Sequence, residues 1–251
     1  MAREAKTKQT TYLRINAEGQ LYSGSSEPRE GHVEYTSKQG NVSYRKTYAG
    51  TDYGKITQLH VVEKDFPTGK VKYLEVTVEN EESRDVVQLP LKNIKGGLTD
   101  EVKKFIAILP GIDFSRDLTI SSNRKKNERG YVEKVLFVNY VTDGVQEKDG
   151  VKFSLKFGKE GTVPMFEQRE GLEGEIIYDF TKQDKFMFEE LVKQLERFKA
   201  EKGAEVKAPE VTAKTPEAEE APKKKASTTK GEPKIETPAQ DESDDDDDLP
   251  F

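Results

Sequence analysis

The chain has 251 residues, of which 35% are charged, and its mean hydropathy is −0.83. It has no cysteine and only two histidines, which excludes disulfides and cysteine-ligated zinc and leaves little for a histidine-rich metal site. No run of 18 apolar residues occurs, and the first ten residues lack the apolar core of a signal peptide. We therefore expect a soluble intracellular protein without membrane contact.

The charge is divided unevenly along the chain. Residues 203–251 hold 14 acidic residues and 7 lysines, which leaves 33 acidic and 34 basic residues for positions 1–202. The last segment has no aromatic residue before Phe251, so it cannot bury enough apolar surface to offset its ordering entropy. The sequence predicts a folded domain over 1–202, a disordered linker over 203–243 and an acidic tip over 244–251.

Most of the first 180 residues have the patterns of strands and hairpins. The first hairpin is predicted over 10–24 with a turn at Glu18-Gly19, and the second over 32–50 with a turn at Gly40-Asn41. Two longer strands flank a Pro-Gly turn, and the second of them has the period-two alternation of a half-buried strand. These two strands are predicted at 55–65 and 70–80. The later strands are predicted at 85–91, 117–123, 131–141, 151–157 and 174–180.

Two segments have helical patterns. The first, 99–109, begins at Thr99 as N-cap with two acids after it and ends before Pro110-Gly111. The second, 184–200, is preceded by a capping box formed by Thr181 and Asp184. Its predicted buried stripe consists of Phe188, Leu191, Val192, Leu195 and Phe198.

These elements predict a mainly β fold. Many short strands with one internal and one C-terminal helix fit an OB-fold-like β-barrel elaborated with long hairpins, followed by a disordered acidic tail. A β-sandwich with a similar number of strands is the alternative.

Enzyme motifs are absent from the sequence. It contains no phosphate-binding Gly-rich loop with Lys-Ser/Thr, no dinucleotide fingerprint and no nucleophile elbow. We interpret His60 as an ordinary strand residue. Asp52, Asp113 and Asp117 lie in segments typical of turns, and we interpret them as turn formers. We predict no catalytic residue, no cofactor and no metal.

An aromatic and basic segment begins in the second hairpin. Three tyrosines alternate with three cations within twelve residues: Tyr44, Arg45, Lys46, Tyr48, Tyr53 and Lys55. In an extended strand Tyr44, Lys46 and Tyr48 share one face. Such a row suits single-stranded nucleic acid, because bases stack on rings while cations follow the phosphates. The alternative is that these tyrosines are half-buried strand residues.

Two further segments have the same composition. One is a predicted loop followed by a strand, which supplies the candidate binding residues Arg124, Lys125, Lys126, Arg129 and Tyr131. The alternative is an ordinary solvated loop. The other is a hairpin tip with the weaker candidates Lys64, Lys70, Lys72 and Tyr73. We interpret Tyr12 and Tyr22 as a cross-strand pair.

The chain closes on an acidic run with an apolar end, composed of Asp244, Asp245, Asp246, Asp247, Asp248, Leu249, Pro250 and Phe251. This ending resembles the C-terminal tip of bacterial single-stranded DNA-binding proteins, an acidic run closed by Ile-Pro-Phe; here Leu249 stands in place of Ile. Acidic tails that close on an aromatic residue also occur in bacteriophage single-stranded DNA-binding proteins. The resemblance implies that the tip docks on replication, recombination and repair proteins.

The folded region departs from the bacterial family, since it is longer, lacks Trp and continues into a linker rich in Lys, Glu, Ala and Pro. A phage protein acting in the host cytoplasm fits this departure better than a bacterial housekeeping protein.

Together these observations predict a non-catalytic, sequence-independent single-stranded DNA-binding protein that protects DNA and recruits enzymes through its tip. The sequence does not distinguish DNA from RNA and does not define the oligomeric state. An acidic-tailed chaperone or scaffold is the second hypothesis, and a carboxylate–metal nuclease is the third.

Overall fold

The structure is a computed structural model that describes residues 8–37, 40–66, 69–93, 96–126, 132–170 and 175–203, without the side chains of Lys126, Val132 and Glu133. Among these residues no helix is both long enough and apolar enough to cross a bilayer. The predicted linker, apart from Gly203, and the predicted tip lie outside the described residues.

A seven-stranded sheet forms the centre of the molecule. Its strands are β1 (Gln9–Ile15), β2 (Leu21–Ser25), β3 (Val33–Thr36), β4 (Val42–Tyr48), β5 (Lys55–Phe66), β6 (Gly69–Glu79) and β7 (Ser83–Pro90). Their spatial order is β3-β4-β2-β1-β7-β6-β5. All neighbours are antiparallel except β1 and β7, which are parallel. The sheet therefore joins two antiparallel halves, β1–β4 and β5–β7, along one parallel pair.

The first two hairpins and the β5–β6 pair have the predicted positions. Gly19 turns the β1–β2 connection with a φ of 72°, in the region that favours glycine. A Cβ at this position would also lie 2.7 Å from the side chain of Arg124, so the turn needs glycine for space as well as for conformation. Gly40 has a φ of 83° at the predicted second turn.

The remaining elements follow the seven strands in the chain. They are α1 (Asp100–Ile108), a 3-10 turn (Leu109–Gly111), β8 (Leu118–Lys126), β9 (Val132–Thr142), β10 (Val145–Gln146), β11 (Glu167–Glu170), β12 (Ile176–Asp179) and α2 (Thr181–Lys202). Strands β10, β9 and β8 form a three-stranded sheet, and β11 pairs with β12. A bridge between Gly54 and Leu118 connects β8 to the segment before β5.

The apolar core lies on one face of the seven-stranded sheet. Alternate side chains of the central strands point into it, because residues two apart on a strand share a face. Helix α1 packs against β7, β9 and α2 on this side. The buried side chains that the sheet contributes are Leu13, Leu21, Ile56, Leu59, Leu74, Val76, Val78, Val87 and Leu89.

Helix α1 begins as predicted. The Thr99 side chain accepts a hydrogen bond from the Val102 N–H, and acidic residues occupy the first turn. The helix ends in the 3-10 turn that contains Pro110.

The strand predicted at 151–157 is wrong. The backbone N–H groups of Ser154 and Leu155 both donate to the carbonyl of Ala107, so the segment docks on the C-terminal end of α1 instead of joining a sheet. Val151 and Leu155 pack against the core from this docked position. The sequence pattern also did not predict β11.

The start and the buried stripe of α2 differ from the prediction. Thr181 is the first helical residue and makes no side-chain cap. The Asp184 carboxylate accepts a hydrogen bond from the Leu98 N–H and forms an ion pair with Lys103. The predicted capping box is therefore wrong. Phe188 and Val192 are exposed. Leu191 and Phe198 are buried as predicted and Leu195 packs against the core, while the buried face also includes Gln183, Met187 and Gln194.

The mainly β class is confirmed. Within the described residues the large sheet has two edge strands, β3 and β5, and is therefore an open sheet and not a closed barrel.

Candidate nucleic-acid interface

Strand β4 places the predicted row on one face. Tyr44, Lys46 and Tyr48 alternate along the extended strand as predicted. This face continues into the apolar core, because Tyr48 pairs with Leu21 and packs against the core cluster. The Tyr48 hydroxyl also lies 3.2 Å from Ser23 Oγ. Tyr44 and Tyr48 are half-buried and Lys46 is exposed.

The other two members of the predicted cluster lie beyond β4. Tyr53 is exposed in the connection to β5, and its carbonyl accepts a hydrogen bond from Asn80 Nδ2 at 2.7 Å. Lys55 is the first residue of β5. The structure therefore does not extend the β4 row to these residues.

The second basic segment is a strand where a loop was predicted. Arg124 and Lys125 lie in the last three residues of β8 and are exposed, and Arg124 Nη1 is 2.7 Å from Glu18 Oε2. Pairing with β9 continues to Lys126, which explains the extended backbone. Arg129 and Tyr131 lie outside the described residues, as does the side chain of Lys126.

Lys72 and Tyr73 are neighbours on β6 and therefore point to opposite faces. Lys72 is exposed. Tyr73 is 0% exposed, which corrects the expectation of an accessible ring at the hairpin tip. The predicted Tyr12–Tyr22 pair is also wrong, because Tyr22 lies opposite Arg14.

The face of the seven-stranded sheet opposite the core carries a row of tyrosines and cations. Strand register defines this face: Arg14 pairs with Tyr22, and Gly24, two residues further, pairs with Arg45. Tyr12 reaches the same side as Tyr73 through pairings across β7. We call this surface the cation–tyrosine face, and its members are Tyr12, Arg14, Tyr22, Tyr35, Arg45, Lys64 and Tyr73.

Cation–π contacts connect these residues across six strands. The Arg45 guanidinium lies 3.4 Å from the ring centroid of Tyr35 and 4.8 Å from that of Tyr22. At the other end of the row, Lys64 Nζ lies 5.2 Å from the Tyr12 centroid and 5.8 Å from the Tyr73 centroid. These distances are within the range of attraction between a cation and an aromatic ring.

Arg14 lies between the two ends of the row. It is opposite Tyr22 in the strand register, and its guanidinium lies 5.7 Å from the Tyr73 centroid.

A polar network runs beneath the second half of the face. Arg14 Nε donates to Gln88 Oε1 at 3.2 Å, and Gln88 Nε2 donates to Glu75 Oε1 at 2.7 Å. Lys64 Nζ lies 2.8 Å from the same Glu75 oxygen. His60 Nε2 is 3.7 Å from Glu75 Oε2. The network crosses β1, β7, β6 and β5 and fixes two cations on either side of the Tyr73 ring.

Two rings on the face are accessible. Tyr12 is 53% exposed and Tyr35 is half-buried, whereas Tyr22 and Tyr73 are buried. Burial raises the pKa of the Tyr73 hydroxyl above its ordinary value, although nearby Arg14 acts in the opposite direction. That hydroxyl has no hydrogen-bond partner among the described residues.

The charge of this face is positive. Besides its three cations, the same side of the sheet carries Lys8 and Arg84, against the carboxylates Glu75 and Glu79. A groove of about 450 Å³ borders the Arg45 end, between the β1–β2 turn and β3, and Tyr35, Arg45 and Thr47 are among its lining residues.

Sequence reasoning missed most of this face. Tyr12, Arg14, Tyr22 and Tyr35 are spread over three strands, and only Arg45, Lys64 and Tyr73 of the seven members were candidates. The available signal was alternation: a strand whose odd positions are apolar and whose even positions are Tyr or Arg, as in Tyr12-Leu13-Arg14, has one aromatic–basic side.

No group of three or more metal-ligating side chains occurs within the described part of the chain. Asp113 acts as a turn former: its Oδ1 accepts hydrogen bonds from the Ser115 hydroxyl and N–H at 2.6 and 2.9 Å. These bonds hold the pKa of the Asp113 carboxyl below its ordinary value.

Comparison of the chain with family models, with curated proteins and with solved structures found no match.

Proposed function

We propose that this chain is a non-catalytic protein that binds single-stranded DNA, independent of sequence, on the cation–tyrosine face. Bases stack on the accessible rings of Tyr12 and Tyr35, and the surrounding cations bind the phosphates. Because stacking contributes about 1–3 kcal/mol per base whatever its identity, such a surface binds without reading sequence.

One observation carries this proposal. Most β-sheets that expose one side to water cover it with scattered polar residues. Here the side opposite the core holds four tyrosines and three cations, linked by cation–π contacts into two groups that together involve six strands. Rings next to fixed cations provide both of the contacts that a flexible polyanion with flat bases requires.

The rest of the proposal follows from the sequence. The acidic tip with its terminal Phe251 recruits enzymes of replication, recombination and repair, by resemblance to the bacterial and phage family. The aspartates attract basic partner surfaces at long range, and Phe251 supplies a ring and a carboxylate for a pocket. An OB-like architecture, partly open and elaborated with long hairpins, belongs to this proposal and is supported by the many strands among the described residues between Gln9 and Thr142.

A comparison of two double variants tests the interface. Tyr12→Ala with Tyr35→Ala removes the accessible rings of the proposed face, and Tyr44→Ala with Tyr48→Ala removes the rings on the opposite side of the sheet. We expect the first pair to weaken binding of a labelled oligothymidine by at least about tenfold, from two stacking contacts. The measurement is fluorescence anisotropy with the full-length chain.

Tyr53→Ala, an exposed ring away from the face, is the control and should bind as wild type does. If the Tyr44/Tyr48 variant loses more affinity than the Tyr12/Tyr35 variant, the interface is the β4 row. If neither variant nor wild type binds, the proposed function is wrong.

A further inference from the structure

The cation–tyrosine face contains one acidic residue at its centre that plain electrostatics does not explain. Glu75 is buried on β6, on the side of the sheet with the tyrosines and cations. Burying a carboxylate costs solvation, and a negative charge on a DNA-binding surface repels phosphate. A glutamine would keep a hydrogen bond to Gln88 without either cost.

The contacts of Glu75 show what its charge does. Its Oε1 faces Lys64 Nζ at 2.8 Å, and Lys64 is the cation nearest to the accessible Tyr12 ring. The Lys64 side chain is 34% exposed and the Glu75 side chain only 10%. The ammonium is therefore open to solvent on one side and bound to the carboxylate on the other.

We propose that Tyr12 and Lys64 form a one-nucleotide subsite in which Glu75 is a built-in counter-ion that competes with the DNA phosphate. A base stacks on the Tyr12 ring while its phosphate contacts the Lys64 ammonium. Glu75 partly neutralises that ammonium, so the subsite binds more weakly than its cation alone would. This inference rests on the proposed function and specifies how the same face limits its affinity.

Glu75 has a matched counterpart on the same strand. Glu79 lies four residues away on the same side of β6 and pairs with Lys8 at 2.7 Å and with Thr57 Oγ1 at 3.2 Å. Glu75→Gln and Glu79→Gln therefore remove the same charge from the same face. Only the first changes the partner of Lys64.

A double-mutant cycle tests the competition. Full-length wild type, Glu75→Gln, Lys64→Gln and the double variant are titrated with oligothymidine at several salt concentrations. We expect Glu75→Gln to tighten binding about three- to tenfold at low salt, because a freed ammonium binds phosphate more strongly. Lys64→Gln should weaken binding about tenfold and make the log–log salt slope shallower by ~0.7, the value of one phosphate contact on a single strand.

The cycle distinguishes a local effect from a general one. In the Lys64→Gln background the Glu75→Gln change should have no further effect, since the cation for which Glu75 competes is gone. Equal tightening by Glu75→Gln and Glu79→Gln would show long-range repulsion only and overturn the inference. So would weaker binding by Glu75→Gln, which would make Glu75 a support for Lys64 and not its competitor.

A second comparison applies if Glu75→Gln does not fold, as judged by circular dichroism and thermal melting. Lys64→Gln is then compared with Lys70→Gln, which removes the same charge from the other side of the same hairpin. Loss of affinity in the first variant alone supports the subsite, and equal affinities overturn it. If wild type binds but the variants do not show these differences in affinity, the inference is wrong and the proposed function stands. If wild type does not bind, the proposed function is wrong.

Discussion

Single residues decide which side of the sheet faces a ligand. Tyr44 and Arg45 are neighbours in the sequence, but the strand directs Tyr44 to the core side and Arg45 to the cation–tyrosine face. The aromatic and basic composition of β4 could be predicted from the sequence. The side of β4 that faces the core could not be predicted from the sequence. It depends on how β4 pairs with β2 and how β2 pairs with β1, and these strands are distant from β4 in the chain or run in the opposite direction.

A buried carboxyl gives a pH-dependent prediction. Asp85 is 7% exposed, and burial raises its pKa above the ordinary value; a hydrogen bond from the Asp52 N–H acts in the opposite direction. A raised folded-state pKa means that the carboxyl favours folding below its unfolded pKa of about 3.9 and that this contribution is lost as the pH rises. Asp85→Asn keeps an acceptor for the Asp52 N–H but removes the charge.

We expect the free energy of unfolding of Asp85→Asn, relative to wild type, to increase as the pH rises from about 4 to 7. Urea unfolding at a series of pH values measures this difference. Asp65→Asn, at a side chain that is 83% exposed, is the control and should show a much flatter difference. A difference for Asp85→Asn that does not vary with pH would contradict the assignment.

At the scale of elements, local sequence signals predicted where the helices lie better than they predicted which helix faces are buried. Helix α1 has its cap, its acidic first turn and its stop within a few residues, so the sequence located it closely. Helix α2 was located as well, but its buried face was displaced. Tertiary contacts of Asp184 with Leu98 and Lys103 set the rotation of the helix, and no local pattern reports such contacts.

The rotation of α2 predicts different costs for two adjacent substitutions. Leu191 is 0% exposed and Val192 is 42% exposed. Leu191→Ala should lower the free energy of unfolding by about 2–5 kcal/mol, through lost burial and the cavity left behind. Val192→Ala should change it by no more than about 0.5 kcal/mol. Urea unfolding of the two variants measures both; comparable losses would contradict the observed rotation.

At the scale of the whole molecule, the strand series was predictable and the arrangement of strands was not. Hairpins such as 10–24 and 55–80 have local turn residues, and their pairings follow from the turns. The parallel contact between β1 and β7 joins residues more than 70 positions apart, such as Gln9 and Ser83, and closes no turn. This contact creates the continuous face from Tyr35 to Lys64, which explains why the sequence indicated the chemistry of the site but not its position.

The central claim is that the cation–tyrosine face binds single strands through stacked bases and phosphate contacts. Anisotropy titration of a labelled oligothymidine and of a duplex of equal length, each with the full-length chain at several salt concentrations, tests it most directly. We expect the duplex to bind at least about tenfold more weakly, because its bases are not free to stack. Single-strand affinity should fall with salt with a log–log slope of about −0.7 for each phosphate contacted. Equal binding of both forms, or binding that does not vary with salt, would contradict the account.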